Sequence, residues 1–326
     1  MNLNKMKRFD VITIGGATED LIAMVDDYVM INNATDPLRT KLVAFEYGAK
    51  IGITDLHSGF GGGAINSALA FTRLGKKVAV HACLGEDERG DRILQNLLKH
   101  KIDTRFTLRH AGASGLSTIV KTAANDHVIF TYRGANDYLE IHSSLLRAMQ
   151  KAKRVYVSSL TGPWRNALKK IMDSKANIAW NPGRVQLSAG YSVLKQFLEK
   201  TEILILNKDE ATQLYVSQQG IKKGNYSIQQ LLRALTKYGP RIVVITNAGK
   251  GASAMSNKTI YNQKSLSSKV VDTTGVGDAF AATFVASFDM HHDISRALLV
   301  AAKNAASVLT KAGPHHGLKT AAELHL

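Results

Sequence analysis

Short apolar runs alternate with amphipathic stretches from about Leu74 to the end of the chain, and this alternation constrains the fold more than any other feature. Lys77 to Leu84 reads as a strand, and Ile93, Leu94, Leu97 and Leu98 then recur at helical spacing. Further β-type runs follow at Val155 to Ser158, Ile178 to Trp180, Ile203 to Leu206 and Ile242 to Thr246, most with a helical pattern behind them. An earlier run, Asp10 to Ile14, ends at Gly15-Gly16. Strands alternating with helices predict an α/β fold with a mostly parallel central sheet flanked by helices on both faces. Two stretches break the rhythm, about 21–58 and 104–132, with β-type alternation and no clear helix. They are expected to pair as a small β-sheet lid inserted in one domain spanning 1–326, placed to close over a site.

The 326 residues are 45% hydrophobic and 21% charged, enough for one large globular α/β domain. No window approaches the roughly 20 apolar residues of a spanning helix. The basic start, Met1 to Arg8, leads into Asp10 and a short apolar run rather than the longer stretch of a signal peptide. A cytoplasmic protein without a membrane partner is the expectation. The single cysteine, Cys83, allows neither an internal disulfide nor a cysteine-based metal site, and its apolar surroundings predict a buried structural thiol. The formal charge of +16 suits an anionic ligand and raises nucleic acid as a partner. The basic residues are scattered, however, and clusters such as Lys151-Ala152-Lys153-Arg154 are flanked by strand patterns. A solvated basic surface with no specific nucleic-acid partner is favoured.

Chemistry concentrates in Val270-Val271-Asp272-Thr273-Thr274-Gly275-Val276-Gly277-Asp278-Ala279-Phe280. An apolar strand end runs into a glycine-rich turn, and an apolar helix follows from Ala279 through Phe288. Glycine lets the backbone approach a ligand closely. The first amides of a helix lack internal partners and lie at the positive end of its dipole, so the turn and helix start form an anion site. Asp278 falls beside that site, where a carboxylate can accept the proton of an attacking hydroxyl. The helix dipole should favour its ionised form and weaken it as a base. The bland alternative is a tight strand-to-helix turn that Asp278 merely caps. Glycine turns before helices are common, but the whole Asp-Thr-Thr-Gly-x-Gly-Asp string after a strand is much less so, and the catalytic reading is preferred.

That string resembles the C-terminal signature of the ribokinase family, the PfkB carbohydrate kinases, and other segments match in order over nearly the whole chain. Gly61-Gly62-Gly63-Ala64-Ile65-Asn66 resembles the N-terminal signature. The resemblance implies that Gly62, Gly63 and Asn66 line a sugar site together with Asp20. Asn207-Lys208-Asp209-Glu210 matches the family's Asn-x-x-Glu motif, which implies that Asn207 and Glu210 organise Mg2+ and phosphate, Glu210 through water. Thr246-Asn247-Ala248-Gly249-Lys250-Gly251 is similar to the nucleotide loop, and Asn304 corresponds to a position near adenine. The implied activity is ATP-dependent phosphorylation of a hydroxyl, taken as a primary alcohol, on a sugar or sugar-like substrate. Asp278 is then the base, and the amides of Gly275, Val276 and Gly277 form the anion hole. Many relatives also hold a monovalent cation such as K+, for which Asp272, Thr274 and Gly313 stand in the ligand positions.

The match has departures. Ala248 replaces the usual first glycine of the nucleotide loop, and Gly63-Ala64 replaces the Lys-Gly of ribokinases, which weakens the case for ribose. Tyr132-Arg133-Gly134-Ala135-Asn136 resembles an element near the substrate, with Arg133 and Asn136 as contacts. Arg184, in Asn181-Pro182-Gly183-Arg184, is placed to reach phosphate. A plain surface role fits either arginine equally well.

A nucleoside substrate on the same fold is the close alternative, and an aromatic sandwich from Phe45, Tyr47 or Phe130 would favour it. A non-catalytic binding module is disfavoured by the intact Asp278 string. Gly59 to Ala64 superficially fits a dinucleotide fingerprint, but Asp55 to Ser58 is a poor strand to precede it. No P-loop string is present. His291-His292 and His315-His316 read as solvent-exposed pairs, and Trp164 and Trp180 as packing residues. Strand edges in the lid predict a homodimer.

Overall fold

A computed structural model describes residues 8–33, 41–122, 127–222 and 224–326. Most of the basic N-terminus and the lid residues 34–40 and 123–126 lie outside the described residues. The central sheet has eight strands in the order Thr259–Gln263, Ala252–Ser256, Ile242–Thr246, Ile203–Asn207, Ile178–Trp180, Arg154–Val157, Val11–Ile14, Val78–His81. The strands from Ile242–Thr246 to Val78–His81 run parallel, and the last two on the other edge turn antiparallel. Their Val- and Ile-rich sequences are buried nearly end to end, as a sheet covered on both faces requires. One core packs helices Gly63–Arg73, Val276–His291 and Ile294–Val308 on one face; a second packs Ser143–Lys151, Trp164–Asp173 and Tyr191–Leu198 on the other. Fully buried Trp180 belongs to the second core. Cys83 is buried and its thiol is pushed up to about 11 by desolvation, so it is an unreactive packing residue.

From Val11–Ile14 the chain first adds a strand on one side and later returns to the other side. The crevice outside the carboxyl ends of strands at such a reversal is where open α/β sheets place ligands. Helix Val276–His291 is apolar around its whole circumference, and Ala279 through Phe288 are all buried.

A second sheet of four strands has the order His127–Tyr132, Gly115–Lys121, Thr18–Val25, Ile53–Gly61, with a small hairpin pairing Val29–Asn32 and Lys41–Ala44. Residues 104–114 contribute no strand to it. Leu108–His110 pairs instead with Cys83–Gly85, so the strand expected over Lys77–Leu84 is two strands broken at Ala82. Asp55 to Ser58, read as a poor strand, lies within the nine-residue strand Ile53–Gly61. Its polar residues are tolerated because most of that strand is exposed. It belongs to the small sheet and pairs antiparallel with Thr18–Val25, so it still builds no dinucleotide fold.

Candidate active site

The turn after Val271 is held by Asp272, whose carboxylate accepts from the Thr274 N–H at 2.9 Å and the Gly313 N–H at 2.8 Å. Gly275 then adopts a left-handed conformation, φ 72°, and caps helix Val276–His291. A side chain at Gly275 would come within 2.3 Å of Pro314 Cβ, so the turn is packed tightly against the segment after Gly313. Gly277 differs: a Cβ there would meet no atom within 4 Å. The start of the helix is therefore open beside Gly277, leaving room for a ligand to approach the helix N-terminus.

Asp278 lies half-buried in that first turn. Desolvation raises its pKa to about 6; the Asn66 hydrogen bond lowers it, and Asp20 nearby adds repulsion. The expected dipole effect toward a weak base is outweighed, because burial penalises the charge more than the helix end favours it. A carboxyl titrating near 6 is well matched to general base catalysis near neutral pH.

Asn66 Nδ2 donates to Asp278 Oδ2 at 2.8 Å, and Asn66 Oδ1 lies 2.8 Å from His315 Nε2. Desolvation lowers His315 to about 4, so the ring is neutral at pH 7. A neutral ring donating from Nε2 fixes the asparagine amide with its NH2 toward the base. His315 was expected to be solvent-exposed; it instead packs into the site with the turn at Gly313. No local signal marks this, since its partner is 249 residues away in sequence.

Asp20 lies on Thr18–Val25 and is buried. Burial raises its pKa against hydrogen bonds from the Thr18 and Ser117 hydroxyls. Gly61 packs on this carboxylate, with room for no side chain, and Gly62 caps helix Gly63–Arg73 at φ 87°. Gly63 is half-buried on that helix, where a Cβ would strike Ser158. The chain thus brings Asp20, Gly62, Gly63, Asn66 and Asp278 to one crevice.

Asn207 and Glu210 form a reciprocal capping box on helix Lys208–Val216: Glu210 N–H donates to Asn207 Oδ1 at 2.8 Å, and Asn207 N–H donates to Glu210 Oε2 at 2.9 Å. The spacing therefore has a structural reason of its own. Glu210 also faces the site. Burial raises its pKa, and Asp278 adds repulsion. Beneath them lies the fully buried Tyr156, whose hydroxyl has no partner and whose pKa is raised by desolvation and by both carboxylates.

The loop after Ile242–Thr246 is closed by Asn247 N–H donating to Gly251 O at 2.7 Å and Gly251 N–H donating to Ala248 O at 3.0 Å. Gly249 and Ala248 are exposed on it, and Thr246 is half-buried at its base. Ala248 sits at φ 42°, where alanine is strained. Ala248→Gly is expected to stabilise the protein by about 0.5–1 kcal/mol, read as a rise in denaturant midpoint with an unchanged slope. A fall in midpoint would show that the methyl packs favourably.

Two residues expected beside ligands have structural partners of their own. Asn136 receives the Ala17 N–H at 2.8 Å and donates to Ala17 O and Arg133 O, clamping the base of the small sheet. Asn304 is fully buried, donating to Thr283 Oγ1 at 2.7 Å and accepting from the Lys319 N–H at 2.9 Å. Arg133 and Arg184 are exposed.

Residues 29–321 match the model of the pfkB family carbohydrate kinases. The chain belongs to this family. Among relatives of this pfkB-family kinase, the ATP-dependent 6-phosphofructokinase of Thermoanaerobacterium thermosaccharolyticum is 21% identical over 90% of this chain and 85% of its own. Arabidopsis thaliana ribokinase, solved with ribose and ATP, superposes with a TM-score of 0.79 at 17% identity, covering 98% of each chain. Burkholderia thailandensis nucleoside kinase, solved with inosine, gives 0.77 at 17%, covering 96% of each chain. The family and its named relatives make this protein a kinase of the sugar and nucleoside group. No helix among the described residues is long and apolar enough to cross a membrane.

Proposed function

We infer that this kinase transfers the γ-phosphoryl group of ATP to a hydroxyl, taken as primary, of a sugar or sugar-like polyol. The observation that carries the reading is Asp278: a carboxyl raised to about 6, oriented by Asn66, in the first turn of a helix that begins at Gly275-Val276-Gly277 and leaves open space beside Gly277. Asp20, Gly62, Gly63 and Asn66 bind and orient the sugar hydroxyls, with Arg133 at the rim. Asp278 takes the proton as the oxygen attacks, and the amides receive the phosphoryl charge. The strand end at Thr246 and the loop through Gly249 and Gly251 hold the nucleotide, while Asn304 acts through packing. Glu210 fits Mg2+, because a desolvated carboxylate repelled by Asp278 would gain from a cation, and Asn207 and Glu210 would hold it, Glu210 through water. When bound, Mg2+ would supply charge neutralisation to the phosphates.

The small sheet supports a sugar over a nucleoside only in turning its aromatic residues Phe130 and Tyr132 away from Asp20. Directly opposed residues share a face, so Asp20 shares its face with Ser117, Thr131 and Gly59, and two residues on with Ile22 and His57. His57 pairs with Asp55 at 2.8 Å, also on that face. Phe130 and Tyr132 alternate onto the opposite face, away from Asp20. The face over the site thus joins a polar group, Asp20, Ser117, Thr131 and His57, to an apolar row of Ile22, Ile119 and Ile129, and Phe130 builds no sandwich there.

The outer face carries Leu56 on one edge strand and Val128, Phe130 and Tyr132 on the other, all exposed. An apolar face of this kind calls for a partner, and we read it as a homodimer contact. Sedimentation at micromolar concentration should give a dimer that Phe130→Lys converts to monomer; a monomeric parent would refute the reading.

The pH dependence follows from the same carboxyl. kcat/KM should fall about tenfold per pH unit below about 6, as Asp278 takes up a proton, and be level above it. A profile level down to pH 5 would rule out Asp278 as the base.

A further inference from the structure

We propose that the Lys121 ammonium does at Asp272 the work of a monovalent cation, so that this kinase needs none and its lid strand is pinned to the anion-hole turn. The inference rests on reading 272–278 as the phosphoryl site. Asp272 is 4% exposed, and its Oδ2 lies 2.6 Å from Lys121 Nζ, a side chain itself 12% exposed. Lys121 ends the strand Gly115–Lys121 of the small sheet, two residues beyond Ile119 and on the same face as Ser117 and Asp20.

With Lys121 in place, the residues do not fit an alkali cation. Hard cations are held by oxygen ligands. Among the described residues, the groups seated on the Asp272 carboxylate are N–H donors, Lys121 Nζ, the Gly313 amide and the Thr274 amide, and the buried Thr274 hydroxyl is the oxygen left beside them without a hydrogen-bond partner. Gly313, expected as a cation ligand, meets Asp272 through its N–H. An alkali ion at Oδ2 would also face the ammonium at close range, where like charges repel strongly in a buried setting.

An ammonium here can perform both tasks that a cation beside the anion hole would. It balances a buried carboxylate near a transferring phosphoryl group, and it holds Asp272 where its Oδ1 fixes the Thr274 amide and hence the turn to Gly275. It adds a property that a free ion lacks, since Lys121 is carried by the lid. Moving that strand away would leave Asp272 buried without its countercharge, which is costly. The bond therefore favours the closed lid and a formed anion hole together.

The test compares melting of the parent, Lys121→Ala and Lys121→Met in choline, sodium and potassium chloride at matched ionic strength. The methionine keeps the length and apolar stem should the alanine variant fail to fold. The parent should melt at the same temperature in all three salts. The variants should melt several degrees lower in choline chloride and recover in potassium more than in sodium. A potassium-specific rise in the parent overturns the proposal. So does the lack of potassium-specific recovery in the variants, which would leave a plain salt bridge. The readout needs no turnover, so a failure of the kinase reading, seen as no substrate-dependent ADP from the parent in any salt, is distinguishable from a failure of this one.

Discussion

Asp278→Asn should lower turnover by about 10²–10⁴-fold and raise the melting temperature of the same protein. The loss follows because an amide cannot accept the proton of the attacking hydroxyl. The gain follows from linkage. Burial raises the folded carboxyl to about 6, above the ordinary aspartate value of 3.8. The folded state thus binds this proton more tightly than the unfolded chain. That contribution is full below pH about 4 and is lost as pH rises through about 6, so at pH 7 the ionised group destabilises the fold. A neutral amide of the same shape, still able to accept from Asn66, removes that cost. Allowing for partial exposure, the gain is on the order of 1–2 kcal/mol, a shift of a few degrees. Calorimetry beside a turnover assay checks both halves. If Asp278→Asn loses activity and stability together, the residue is a structural cap and the trade between function and stability is absent.

Gly277→Ala should lower turnover by about 10²–10³-fold and leave stability unchanged or slightly improved. Alanine is the better helix residue, and its methyl would meet no atom of the protein within 4 Å. The space that it fills is the space through which the phosphoryl oxygens must reach the amides. Gly275→Ala is the control with the opposite balance. At φ 72° and 2.3 Å from Pro314 Cβ, it should lose stability outright. Thermal melts and turnover of the two variants separate a glycine kept for ligand approach from one kept for backbone conformation. Full activity in Gly277→Ala would remove the anion hole from this turn.

The central sheet was legible because its signal is local: Ile203–Leu206 and Ile242–Thr246 are short apolar runs between turn residues, and burial on both faces makes such runs continuous. The Asp278 turn was legible for the same reason, since strand end, glycines and acid are consecutive. The small sheet was only partly so. Ile53–Gly61 is exposed on both sides, and exposure erases the period by which a strand is read. Residues joined by tertiary contact gave no sign. Nothing near His315 marks it as the partner of Asn66, and nothing near Lys121 marks it as the countercharge of Asp272. Asn136 and Asn304, expected beside ligands, show structural partners that the sequence did not reveal. There the fold consumes their hydrogen bonds, with Ala17 in one case and with Thr283 and Lys319 in the other.

The most direct measurement is ADP formation from ATP and Mg2+ over a panel of sugars, sugar acids, sugar phosphates and nucleosides, with Asp278→Ala run beside the parent. The account predicts turnover that depends on a polyhydroxylated substrate and falls by about 10²–10⁴-fold in the variant. Turnover that survives in Asp278→Ala, or folded parent protein that binds ATP and turns over no member of the panel, would contradict it.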